Sequence, residues 1–100
     1  KLTERKMKMI KKSDVVTLVT HVGEIVGRYD SETEDAINLI DPRLFVNQQD
    51  GAGLAPGICM TGVMNPTSAT FFKGSIVSIV ETAPEIEKSW VQAVSGIALA

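Results

Sequence analysis

The stretch TFFKGSIVSIV, Thr70 to Val80, decides how the fold is read. Both arms are apolar and rich in β-branched and aromatic residues, which favour strands, yet Lys73-Gly74 divides them. Glycine weakens a strand interior, so two short strands, ATFFK and SIVSIV, joined at Lys73-Gly74 with almost no loop, fit better than one. Phe71 and Phe72 then point to opposite faces, and one of them packs in the core.

Upstream, VVTLVTHV (15–22) is β-branched and reads as a strand, Gly23 marks a tight turn, and EIVGRYD (24–30) returns as its partner. Ile25 and Tyr29 share one face while Glu24, Val26 and Arg28 share the other. Gly27 lies on the face of Ile25 and Tyr29, where a small barrel needs room for a sharp bend. SETED is an acidic loop. AINLID is a third strand, which LFV prolongs past a kink at Pro42. Residues 47–57, NQQDGAGLAPG, read as a long polar, glycine-rich loop, and ICMTGVM as a short strand before the Asn65-Pro66 turn. Downstream of the opening stretch, Pro84 opens a final helix over 84–95, with Ile86, Trp90 and Val94 on one face.

The chain is one domain of 100 residues, 44% apolar but only 5% aromatic, which implies an aliphatic core. Charge is uneven: residues 1–12 carry six Lys or Arg against Glu4, +5, so the remainder must be −7 to give the net −2. The composition of 1–12 favours a basic amphipathic helix, and such a polarity implies an anionic partner or a solvated helix that keeps the domain soluble. No apolar run approaches a membrane span and no signal peptide is visible, while the single Cys59 cannot form an internal disulfide. A cytoplasmic protein without a membrane partner is therefore expected. A start at Lys1 and an apolar finish, GIALA, imply that the native chain extends further. The expected architecture is mainly β, four or five short antiparallel strands in a small curved sheet or barrel, with an N-terminal and a C-terminal helix. So apolar a sheet exposes aggregation-prone edges unless a second chain pairs with them, which points to an oligomer.

Catalytic signatures are missing. One His and one Cys, His21 and Cys59, could formally pair, but there is no nucleophile elbow, phosphate loop, HExxH or CxxC. The SETED carboxylates Glu32, Glu34 and Asp35 lack the spacing and glycine of a calcium loop. The expectation is a non-enzyme without metal or cofactor. Nucleic acid is the better candidate ligand, and single-stranded RNA suits an acidic body best, because bases can be held individually at a few sites.

The segment HVGEIVGRYDSETEDAINLID resembles the first signature of the Sm-like proteins, the superfamily of Sm, LSm and Hfq. It supplies Gly23, Gly27-Arg28, Asp35 and Asn38 in the family's order. FFKGSIVSIV is similar to the second signature, in both its Hfq and its Arg-Gly form. Three departures stand out: the long insert from Pro42 to Pro66, Gly74 where Hfq carries a histidine, and Ala36-Ile37 where an aromatic often precedes the asparagine. The resemblance implies a five-stranded antiparallel SH3-like barrel whose subunits pair edge strands into a closed homo-oligomeric ring of five to seven copies. It also implies base pockets at the pore, with Asn38 bonding the base, Asp35 fixing Asn38, Lys73 supplying charge and Gly74 allowing close approach. Phe72, beside Lys73, joins this RNA-binding set. Lys8, Lys11 and Lys12 meet the backbone of single-stranded RNA, or of DNA, on one flat face. The function implied is RNA processing or chaperoning. The alternative is a structural or protein-interaction ring that has lost its RNA pocket.

Overall fold

The computed structural model describes residues 10–96. Six strands follow in order: β1 (Val15–Thr20), β2 (Gly23–Glu32), β3 (Ala36–Gln48), β4 (Gly51–Leu54), β5 (Ser68–Phe72) and β6 (Ile76–Glu81). A helix, α1 (Pro84–Ser95), closes the described chain. All pairings are antiparallel. The sheet runs β4-β3-β2-β1-β6, and β5 pairs with the first half of β3 on the edge whose second half takes β4.

The sheet is strongly curled. A straight ten-residue strand spans about 33 Å, so the turns at the two ends of β2 ought to lie far apart. Yet one three-residue 3₁₀ turn, Lys73–Ser75, bonds to both: Lys73 N donates to Asp35 O at 2.8 Å, and Ser75 O accepts from His21 N at 3.0 Å. The bend has a local cause. Register shifts between Val26 and Arg28, so that Gly27 faces both Asp41 and Pro42 of β3. A Cβ on Gly27 would lie 3.1 Å from Leu39 Cβ and 3.2 Å from Ile40 O, so only glycine lets the strands approach there. Asp41 takes a left-handed φ of 51°, and Pro42, which has no N–H to donate, sits at this bulge.

Alternation along the strands separates two layers. Val16, Leu18, Ile25, Ile37 and Leu39 form the inner core, with Tyr29, Leu44, Ile58, Phe71, Ile76 and Ile79 packed around it. Ile10 also packs there. The outer face is covered in part by α1: Trp90 is completely buried, its indole N–H donates to Asp41 O at 2.8 Å, and the Arg28 guanidinium stacks 5.0 Å from its ring. Pro84 begins α1, Glu85 and Glu87 lie in its positive first turn, and left-handed Gly96 ends it.

Several expectations change. Residues 47–57 are no long loop. β3 continues to Gln48, and a two-residue turn sends β4 back along it, with Gln48 facing Gly51. Glycine and alanine hid this hairpin, because its ladder is held by backbone bonds rather than by an apolar pattern. ICMTGVM forms no strand, and Pro56–Pro66 is an irregular flap. The strand expected over 15–22 stops at Thr20, leaving His21-Val22 as a hairpin tip. The helix expected over 1–12 lies outside the described residues except for Ile10–Lys12, which are not helical.

Candidate nucleic-acid interface

The Lys73–Ser75 turn gathers the end of the molecule on which the candidate residues lie. Phe72 N-terminal to it pairs with Ala36, and Phe71 with Ile37. Phe71 therefore faces the core, while Phe72 faces outward and is 65% exposed. The alternation read from sequence is resolved by register alone.

Lys73 is held rather than free. Its ammonium donates to Glu32 Oε2 at 2.7 Å, and the other oxygen of that carboxylate accepts the Tyr29 hydroxyl at 2.6 Å. Two donors on one carboxylate, Lys73 first and Tyr29 second, pull the Glu32 pKa below its ordinary value. Tyr29 moves the other way: burial, reinforced by its bond to the Glu32 anion, pushes its phenol up to about 12. At neutral pH Tyr29 is thus a phenol and Glu32 a carboxylate, and Lys73 is paired with that carboxylate inside the protein.

Asn38 lies on the opposite, outer face. Its amide N–H donates to Ser31 Oγ at 3.1 Å, and its carbonyl oxygen accepts the Thr70 hydroxyl at 2.6 Å. The polar row Ser31–Asn38–Thr70 thus crosses β2, β3 and β5. Asn38 is fixed by these two hydroxyls, not by Asp35 as the resemblance implies. Asp35 contributes its backbone carbonyl to the Lys73 N–H, while its own N–H reaches Thr33 Oγ1 at 3.2 Å. The arrangement therefore brings Asp35, Phe72, Lys73 and Gly74 together at one turn and sets Asn38 on the same outward face as Phe72. Lys73 is tied instead to Glu32, whose carboxylate also takes the hydroxyl of Tyr29, a residue packed against the inner core.

Gly74 has nothing within 4 Å of an added Cβ and no left-handed φ. Neither space nor backbone inside this chain requires a glycine there. Lys11 and Lys12 are exposed at the Ser13 turn, where Lys12 stands 3.7 Å from Asp30, and Lys8 lies outside the described residues. Glu32, Tyr29, Ser31 and Thr70 are the residues that the sequence reading did not assign to this site. Their partnerships follow from strand register and the bulge at Asp30, which no local pattern reveals.

Among the described residues no group of three or more His, Cys, Asp or Glu is placed to hold a metal ion, and no helix is long and apolar enough to cross a membrane. His21 and Cys59 are both exposed, the first on a hairpin tip and the second on the flap. No family model matches the chain, and no curated protein matches it.

Proposed function

We propose that this is a divergent Sm-like protein: a non-enzymatic barrel that assembles into a closed homo-oligomeric ring and binds single-stranded RNA. The observation that carries the reading is the Lys73–Ser75 turn, which links two edge strands and presents the exposed ring of Phe72 beside a cation and an open glycine. Among the described residues β5 pairs only with β3 and β6 only with β1, so no described strand takes the second edge of either. Val77 on β6 is 65% exposed next to such an edge. Pairing the β5 edge of one copy with the β6 edge of the next satisfies both and closes the ring. Phe72 then stacks a base, Lys73 attracts phosphate, and Asn38 offers an amide on the same face as Phe72. Lys8, Lys11 and Lys12 add a sequence-independent contact with the RNA backbone.

A second reading, a ring that serves structure or protein interaction, is favoured by one observation: Glu32 already neutralises Lys73. One series of measurements separates the two. Native mass spectrometry and light scattering define the assembly, and a monomer overturns the ring. Anisotropy with poly-U and poly-A against salt then tests the site. Lys73→Ala and Phe72→Ala each weaken binding if RNA occupies the turn. Weak binding indifferent to both, and to Asn38→Ala, leaves the structural ring.

A further inference from the structure

On the outer face, an apolar groove runs between the sheet and the start of α1. Its floor is Val19, Val26, Phe45 and Val80, with Ile86 of α1 as one wall. Thr17 and Thr82 are nearly buried beside it and share a hydrogen bond of 2.9 Å, so they need no water from the groove. Glu24 and Glu81 line the same groove. It runs on through Glu81 and Thr82 into a polar recess formed by Ser13, Asp14, Val15 and Glu87. An apolar floor bordered by carboxylates is complementary to a basic amphipathic segment. Among the described residues no cation pairs with Glu24 or Glu87.

The chain carries such a segment. Residues 10–96 hold six Lys or Arg against eleven Asp or Glu, −5, whereas residues 1–9, KLTERKMKM, hold four against one, +3, interspersed with Leu2, Met7 and Met9. They join the body at Ile10, three residues before the Ser13 that lines the recess. Nine residues reach about 13 Å as a helix or up to about 30 Å extended, enough to lie along the recess and enter the groove.

We propose that residues 1–9 dock in cis on this acidic groove, the basic side chains against Glu24, Glu81 and Glu87 and the apolar ones on Val19, Val80 and Ile86. The groove is thereby the resting place of the segment that carries Lys8, one of the lysines assigned to the RNA backbone. The docking itself rests on apolar complementarity and charge, independently of the RNA reading, and its test uses no RNA.

A spin label at Thr3→Cys, with Cys59→Ser to leave one thiol, reports the docking by NMR on the full chain. Docking predicts loss of the amide signals of Val19, Val80 and Ile86. The signals return at about 0.5 M salt, where the Debye length falls to roughly 4 Å, and in Glu24→Gln/Glu87→Gln with an unchanged melting temperature. Intact signals in the labelled wild-type background overturn the proposal. So does a loss that persists both in the double variant and at about 0.5 M salt, because charge then does not hold the segment. In a mixture of spin-labelled unenriched chain and unlabelled enriched chain, docking in cis leaves the signals intact. Loss there means that a second copy supplies the segment, which also overturns it.

Discussion

At the scale of single residues, Glu32 decides what Lys73 can do. Its carboxylate takes the ammonium and the Tyr29 phenol at once, so it holds the cation in place and cancels its field. If RNA occupies the turn as proposed, Glu32→Gln is expected to strengthen its binding severalfold and to steepen the salt dependence, measured by poly-U anisotropy, while costing about 0.2–1 kcal/mol of stability, the range for an exposed pair. Two pH windows follow from the same trio. Glu32 is lowered in the folded state, so its contribution is full above the ordinary carboxylate pKa of about 4.3 and is lost as pH falls through the folded value. Tyr29 is raised, so its contribution is full below its ordinary pKa of about 10 and fades as pH climbs towards about 12. Thermal melts across pH should show an alkaline loss that Tyr29→Phe flattens. Gly74 teaches the opposite lesson. A Lys-Gly break looks like a demand of the turn, but the turn tolerates a Cβ at 74. Gly74→Ala is expected to leave the melting temperature level or raise stability by about 0.4–1 kcal/mol through the unfolded chain. If the same variant loses RNA affinity or assembly, the glycine serves something outside its own chain.

At the scale of elements, the bend of β2 against β3 carries the architecture. Gly27→Ala puts a methyl 3.1 Å from Leu39, with an expected cost of about 1–3 kcal/mol in denaturant melts. The helix and the bulge brace each other through Trp90, which is buried on the outer face and bonded to the left-handed Asp41. Trp90→Ala should cost about 3–5 kcal/mol and release α1; the more conservative Trp90→Phe, which keeps the ring but loses the indole donor, should cost less than half as much. This face was legible in sequence from Ile86, Trp90 and Val94, but its partner was not. Nothing in the spacing of α1 says that it braces a β-bulge, because that contact joins residues 49 apart.

At the scale of the whole molecule, the edges of β5 and β6 that no described strand pairs are where the proposed ring is tested. If the ring forms as proposed, a charge or proline on β6, for example Val77→Lys, is expected to shift native mass spectra from ring to monomer while leaving the far-ultraviolet spectrum β-rich; a monomeric wild type removes the ring reading altogether. Much of the fold was written locally. The β-branched run of β1, the glycine before β2, the two arms about Lys73-Gly74 and the proline that opens α1 each specify their element through backbone preference and side-chain alternation. That information lies within a few residues, so sequence alone determined an antiparallel, aliphatic β domain with one C-terminal helix. What required tertiary structure was everything fixed by register and curl: the Gly51–Leu54 hairpin hidden in a glycine-rich segment, the outward turn of Phe72, Asn38 held by Ser31 and Thr70, and Lys73 held by Glu32. Those pairings join residues from 7 to 41 positions apart. Their existence depends on where two bulges shift the strands, a property of the curled sheet and of no segment within it.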